Sequence, residues 1–207
     1  MLISELAARA DLPVATVKFY LREGLLAPGT ATSATRATYD EAHVRRLRLV
    51  RALVDVGGLR LAAVHEVLAA LDDPELSQHD LLGAAHEPLA ATPSDVEPAA
   101  LAAADAHLAR LGWSVHPWAA QRRVLAQTLA ACAEVGHPVD ETTLNTYARA
   151  ALMVAEVDVA SVPVTDRAQA MERVVVGTVL YEPLLLALRR LAQVHVSDQS
   201  AGASRLS

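Results

Sequence analysis

Apolar side chains recur every three or four residues along most of the chain, which is the spacing of amphipathic helices. Alternation typical of strands is nearly absent, so we expect a mostly helical protein. The pattern predicts helices over residues 3–10, 13–22, 41–56, 60–71, 99–111, 118–135, 140–159 and 166–194.

The first two predicted helices are short and are joined by a tight turn. Pro13 suits a helix start, where its missing N–H is not needed, and Gly24 suits the left-handed position after a helix. This arrangement predicts a helix-turn-helix. Residues 24–38 are small, polar and non-periodic, and they include the turn pair Pro28-Gly29, which predicts a loop.

The last predicted helix contains a proline and a long apolar stretch. Pro183 removes an intrahelical hydrogen bond and clashes with the preceding turn, so we expect a kink near it. Residues 174–188 are apolar nearly all round, apart from Glu182, which predicts the central helix of a bundle. Residues 197–207 are expected to form a frayed, flexible tail.

The net charge of −6 is unevenly distributed along the 207 residues. Residues 1–65 hold nine basic and six acidic residues, whereas the remainder holds nine basic and eighteen acidic ones. Because salt screens charge beyond about 8–10 Å, binding to phosphates responds to the local charge. A basic head on an acidic body indicates a DNA-binding domain joined to a part that does not touch DNA.

Composition, the length of apolar runs and the first residues of the chain exclude several classes of protein. Hydrophobic residues make up 53% and charged residues 20%, which excludes a disordered chain. No apolar run reaches the roughly 18 residues of a membrane span, and the start lacks the basic segment of a signal peptide. We therefore expect a cytoplasmic protein that has no membrane partner.

The first 71 residues contain several separated sequence blocks. In order, they are residues 3–7 (ISELA), 14–20 (VATVKFY), 23–28 (EGLLAP), 39–41 (YDE), 44–50 (VRRLRLV) and 61–68 (LAAVHEVL). These blocks, in this order, resemble the MerR family of regulators. The resemblance covers about a third of the chain. It implies an N-terminal winged helix-turn-helix. Together with the helical spacing of the remaining residues, it leads us to expect an all-α fold with a small β wing, in which this module is followed by a helical C-terminal bundle.

The resemblance over residues 1–71 and the helical pattern beyond them divide the chain into domains. Residues 1–71 are expected to form the DNA-binding domain, and residues 72–112 a connector with dimerisation helices. Residues 113–196 are expected to form a helical domain for effector binding and dimerisation, ahead of the tail at 197–207.

A recognition helix needs side chains near its start that reach base edges and others that grip phosphate. We expect DNA contacts from the recognition helix and, by similarity, from the wing and the helix after it. The expected contact residues are Thr16, Lys18, Tyr20, Arg22, Arg36, Tyr39 and Arg45. Lys18 is the only lysine in the chain. Ala15 departs from the family, which often has a second basic residue at this position.

The resemblance implies partners and a mechanism as well. The protein is expected to bind a two-fold promoter or operator as a homodimer. In the family the dimer lies over an over-long promoter spacer and distorts it, and effector binding realigns the promoter elements for RNA polymerase.

Four of the seven aromatic residues lie in the C-terminal part of the chain: Trp113, Trp118, Tyr147 and Tyr181. Such a group in a helical bundle suggests an aromatic-lined pocket for a small organic effector, and ordinary core packing is the alternative. The lone Cys132 excludes a site that needs several thiolates. We predict neither a metal nor a cofactor.

The sequence also bears on two other classes of function, an enzyme and a ligand-sequestering protein. The eight histidines are scattered, and we find no phosphate loop, nucleophile elbow or paired nucleophile and base, so we do not expect an enzyme. The acidic body and Ala15 leave a further alternative, a ligand-sequestering helical protein that has lost DNA binding. Binding to DNA in a gel-shift experiment separates that alternative from a regulator.

Overall fold

A computed structural model describes residues 1–33, 36–86, 95–163 and 166–203 of the chain. Its elements in chain order are α1 (Ile3–Arg9), α2 (Val14–Arg22), β1 (Thr30–Ser33), β2 (Arg36–Thr38), α3 (Glu41–Asp55), α4 (Leu61–Asp72), α5 (Gln78–His86), α6 (Pro98–Arg110), α7 (Ala120–Glu134), α8 (Glu141–Ala160), α9 (Arg167–Val179) and α10 (Tyr181–Ala203). The predicted all-α fold with a small β wing is confirmed. None of the described helices is both long and apolar enough to cross a membrane.

The helices form two compact units, Met1–Ala69 with Val179–Ser207 and Ala70–Thr178. In the first unit, α3 supplies the centre of the core, because Leu47, Val50 and Leu53 lie on one face and are fully buried. Leu6 of α1 and Val17 of α2 are also fully buried. The first helical pair is thus fixed by apolar side chains at helical spacing, as the sequence pattern predicted.

The end of α2 follows from a single glycine. Gly24 has a φ of +74°. Glycine adopts a positive φ without steric strain because it has no Cβ. The N–H of Gly24 donates to Leu21 O (3.3 Å) and the N–H of Leu25 donates to Tyr20 O (2.9 Å). These two bonds satisfy carbonyls that the helix end leaves open, so the predicted stop at Gly24 is confirmed.

The turn between α1 and α2 is held in an unusual backbone conformation. Asp11 has a φ of +54°, and it is the non-glycine residue with a positive φ among those described. One Arg51 nitrogen donates both to Asp11 O and to Asp11 Oδ2, each at 3.0 Å. Helix α3 therefore fixes the tight turn from 40 residues further along the chain.

The second unit is described by itself. Helices α6 and α7 pack against each other, with Ala104 and Ala126 buried. The Arg122 guanidinium forms an ion pair with the Asp105 carboxylate, which lowers the pKa of Asp105. Helix α8, by contrast, contains no buried residue.

Seven of the predicted helices agree with the structure to within two residues at each end, but the last one does not. The predicted helix over 166–194 is two helices, which are interrupted at Leu180. Pro183 lies in the first turn of α10. The first N–H groups of a helix have no intrahelical acceptor, so a proline at this position costs no hydrogen bond. The chain therefore accommodates Pro183 by starting a new helix just before it.

The structure differs from the sequence pattern at two further places in the C-terminal region. Val174, Val175 and Val179 are buried, but the second half of the predicted central helix is exposed, with Leu188 at 55%. The predicted tail is helical up to Ala203, and residues 204–207 lie outside the described residues. Periodicity reports an apolar face, but it does not report whether another part of the chain covers that face.

The turn predicts a stability difference between two variants of Asp11. Asp11→Ala and Asp11→Gly both remove the carboxylate that contacts Arg51, but only alanine has a Cβ that disfavours a positive φ. We expect the alanine variant to be less stable than the glycine variant by about 1 kcal/mol, with a melting temperature lower by about 2–4 °C in a chain of this size. Thermal unfolding followed by circular dichroism measures this difference, and equal melting temperatures would contradict the assignment.

Candidate nucleic-acid interface

Helix α2 divides into an inner and an outer face. Val17 and Tyr20 are buried, whereas Lys18 and Arg22 are exposed and one helical turn apart. Thr16 is half-buried near the start of the helix. Because side chains at positions i and i+4 share a face of a helix, Lys18 and Arg22 present two positive charges to the same side.

Tyr20 belongs to the core rather than to this outer face. Only 8% of its surface is exposed, and burial, together with the nearby Asp55 carboxylate, raises the pKa of its phenol despite the opposing charge of Arg51. Tyr20 lies three residues after Val17 and therefore on the same inner face. Its burial leaves little surface for the DNA contact predicted from the sequence.

Arg22 is exposed but has partners close to it in the chain. Its guanidinium lies 5.2 Å from the centre of the Phe19 ring, and its Nε lies 3.3 Å from Glu23 Oε1. These contacts orient the side chain without burying it. A phosphate group would have to compete with Glu23 for this guanidinium.

Strands β1 and β2 form the wing as an antiparallel hairpin. Thr30 pairs with Thr38, and Ser33 pairs with Arg36 after a register shift in β1. Arg36 is exposed at the start of β2. The tip residues 34 and 35 lie outside the described residues.

The base of the wing is attached to the N-terminus of the chain. The Met1 ammonium donates to Tyr39 O (2.8 Å), and the Tyr39 N–H donates to Met1 O (2.9 Å). A Cβ on Gly29 would lie 2.6 Å from Thr38 O and 2.9 Å from the Tyr39 ring, so only glycine fits there. Tyr39 itself is half-buried and meets the His43 ring edge-on, with 5.2 Å between ring centres. Tyr39 thus supports the wing, and part of its surface stays accessible.

The wing leads directly into α3 through a capping box. The Asp40 carboxylate accepts the N–H groups of Ala42 (3.0 Å) and His43 (3.2 Å), and the His43 ring accepts the Asp40 N–H. The side-chain contact with His43 is the main reason that the pKa of Asp40 is lowered. The ionised cap therefore stabilises the fold at pH values above the ordinary pKa of an aspartate. This stabilisation is lost as the pH falls through the lowered pKa.

Three of the four arginines in the middle of α3 bind other parts of the first unit. Arg46 donates to Leu25 O (3.2 Å), Arg48 donates to Arg9 O (3.0 Å), and Arg51 contacts the α1–α2 turn. The structure uses these guanidiniums to hold the helix-turn-helix against α3, a role for which a single sequence gives no signal.

Arg45 differs from its three neighbours. Its side chain is exposed and, like the side chains of Lys18 and Arg36, makes no hydrogen bond or ion pair with a residue that the structure describes. These three bases come from α2, β2 and α3 of the same compact unit. Cationic side chains that have no acidic neighbour to displace are the ones best suited to bind phosphate or base edges.

The four aromatic residues predicted to line an effector pocket have varied surroundings in the structure. Trp113 is half-buried just after α6, and Tyr181 is half-buried at the start of α10. Trp118 is 60% exposed and Tyr147 is 50% exposed. The Trp118 ring lies 4.5 Å from the His116 ring. The shared pocket stays a prediction, although rings that line an enclosed pocket are usually more buried than Trp118.

Comparisons with known proteins agree with this geometry. Residues 1–71 match the family described as MerR HTH family regulatory protein. The crystal structure of the putative transcriptional regulator SCO5550 from Streptomyces coelicolor A3(2) is 38% identical, with a TM-score of 0.73, and the match covers 96% of this chain and 97% of that chain. A search of curated proteins finds no match. The chain belongs to the MerR family of helix-turn-helix regulatory proteins.

Proposed function

We propose that this DNA-binding regulator recognises a specific, two-fold operator as a homodimer and controls transcription there. The observation that carries the proposal is a group of three exposed bases on α2, the wing and α3 whose side chains have no partner among the described residues: Lys18, Arg36 and Arg45. A helix-turn-helix places its second helix in the major groove, so Lys18 is the base-reading side chain. Arg36 and Arg45 grip the flanking phosphates.

The proposed homodimer follows from the small size of a single interface. One recognition helix reaches few base pairs, and two copies related by a two-fold axis read two half-sites one helical turn apart. Phosphate contacts supply much of the affinity, so binding weakens steeply as the salt concentration rises. The acidic remainder of the chain stays away from the DNA.

We infer regulation by promoter distortion from membership of the family. The dimer binds an over-long spacer and deforms it, at a cost of a few kcal/mol that protein–DNA contacts offset. Binding of a small organic effector changes the deformation and thereby the access of RNA polymerase. The effector site is assigned to residues 113–196, and no catalysis is involved.

Loss of Lys18 tests base reading. We expect Lys18→Ala to weaken binding to the operator by about 1–3 kcal/mol, roughly 5- to 150-fold, and to relax the sequence preference. Binding by fluorescence anisotropy to the operator and to scrambled DNA measures both effects. Equal weakening on the two DNAs would reduce Lys18 to a phosphate contact.

Loss of Arg45 or Arg36 has a different expected result. Each alanine variant should weaken binding to operator and scrambled DNA alike, and each should lower the slope of log affinity against log salt by about one, because one phosphate contact is lost. Arg123→Ala is the matched control, since Arg123 is also exposed but lies in α7 of the other unit. A wild-type protein that binds no DNA would favour the ligand-sequestering alternative.

The effector proposal predicts a fluorescence response. A cognate organic compound should change the emission of Trp113 and Trp118 and raise the melting temperature, because a ligand that binds only the native state stabilises it. Cys132→Ser should respond in the same way as wild type, since one thiol cannot form a thiolate metal site. A response to metal or oxidant that is lost in Cys132→Ser would overturn the organic effector.

A further inference from the structure

Ala15 lies in the first turn of the recognition helix α2, on the side that faces away from the domain. Its side chain is exposed, as are those of Lys18 and Arg22. The buried residues of α2 are Val17 and Tyr20. Because a helix turns by about 100° per residue, Ala15 lies about 160° from Val17 and about 140° from Tyr20 around the helix axis. Ala15 is therefore at the centre of the outer face of α2.

Contacts at both ends of α2 fix where the Ala15 methyl group lies. Before the helix, Arg51 donates to Asp11 O (3.0 Å). After the helix, Arg46 donates to Leu25 O (3.2 Å). Alanine has no side-chain rotamers, so its methyl group follows the backbone and loses no side-chain entropy when a ligand covers it. The position of this methyl group is therefore as well defined as that of the helix itself.

The chemistry of the major groove offers one complement for a methyl group. Guanine, cytosine and adenine are distinguished there by hydrogen-bond donors and acceptors, whereas thymine adds an apolar group, its C5-methyl. A methyl group placed against a polar base edge removes water from that edge without replacing the lost hydrogen bond, which is unfavourable. Against the thymine methyl group, the same loss of water is favourable. An alanine at the centre of a base-contacting face thus selects thymine.

We propose that Ala15 determines sequence specificity by contacting the C5-methyl group of one thymine in each half-site of the operator. The inference rests on the DNA-binding function proposed above, in which the first residues of the recognition helix contact base edges. It adds an apolar contact to the polar contact assigned to Lys18. A single sequence gives no signal for this role, because alanine has neither a charge nor a hydrogen-bonding side chain.

The spacing of Ala15 and Lys18 places the thymine close to the base that Lys18 contacts. Three residues of a helix span about 4.5 Å along its axis, and neighbouring bases of one strand are about 3.4 Å apart. The usual specific contact of a lysine is with the O6 and N7 acceptors of guanine. Each half-site should therefore contain a thymine within about two base pairs of a guanine.

Replacement of thymine by uracil tests the methyl contact, because uracil differs from thymine only in lacking the C5-methyl group. The full-length protein first selects its operator from random DNA, and each thymine of one half-site is then replaced in turn by deoxyuridine. One replacement should weaken binding of wild type by about 4-fold, as expected for the loss of one buried methyl group. Fluorescence anisotropy measures each affinity.

Two variants of Ala15 assign this effect to its side chain. Ala15→Gly removes the methyl group, and Ala15→Ser puts a hydroxyl group into the contact. Each variant should bind the thymine and uracil operators with equal affinity. Because the two DNAs are compared within one variant, a change in the stability of the helix affects both affinities alike and cancels.

Thr16→Ser and Lys18→Ala are the matched controls. Thr16→Ser also removes one methyl group from the start of α2, but Thr16 is half-buried and lies about 100° from Ala15 around the helix axis. Lys18→Ala removes the neighbouring base contact. Both control variants should keep the difference of about 4-fold between the thymine and uracil operators.

Replacement of guanine by 7-deazaguanine tests the spacing, because the modified base lacks the N7 acceptor. The guanine that Lys18 contacts is the one whose replacement weakens binding of wild type but not of Lys18→Ala. It should lie within about two base pairs of the uracil-sensitive thymine. A larger separation would overturn the inference, since one helix face cannot hold both contacts at that distance.

The results with wild type separate failure of this inference from failure of the proposed function. If wild type selects an operator in which no thymine is sensitive to uracil, the Ala15 contact is wrong and the regulator assignment stands. The same conclusion follows if the sensitivity persists in either Ala15 variant. If wild type binds no DNA, or binds all DNA alike, the proposed function itself fails.

Discussion

The helix-turn-helix depends on hydrogen bonds that three α3 arginines donate to carbonyl oxygens on both sides of it. Arg48 and Arg51 hold the end of α1 and the α1–α2 turn, and Arg46 holds Leu25 just beyond α2. Backbone carbonyls at helix ends have no intrahelical donor, and a charged donor satisfies them more strongly than a neutral one. The orientation of the recognition helix therefore follows from α3, on which all three contacts converge.

The same contacts decide which positive charges remain for DNA. A guanidinium that already donates to a carbonyl or carboxylate would have to give up that bond to meet a phosphate. Lys18, Arg36 and Arg45 have no such bond within the described chain, so their charges are available at no structural cost. The positive head thus contains two populations of bases, one that builds the domain and one that faces outward.

The helices of the C-terminal region differ widely in how much apolar surface they bury. In α9, Met171, Val174 and Val175 are buried, whereas α8 has no buried residue and α10 leaves its leucines open. Apolar side chains on helices of this length are costly to leave in water. In the single chain the apolar side chains of α10 are nevertheless exposed to solvent.

The sequence by itself determined the features that depend on local physics. Helical spacing located seven helices to within two residues, Gly24 marked the end of α2, and ordered blocks of residues identified the winged helix-turn-helix. These features depend on contacts within one turn of helix or on backbone preferences of single residues, so a linear pattern carries them.

Only the tertiary structure decided how chemically similar residues divide their roles. Arg45 and Arg46 are neighbours of the same type, yet Arg46 reaches a carbonyl 21 residues away and Arg45 points to solvent. Tyr20 looks like a DNA contact in the sequence, but its helix turns it into the core. Leu188 has the pattern of a buried residue and is exposed. In each example the outcome depends on what lies opposite the side chain in space, and a single sequence does not encode that neighbour at any fixed spacing.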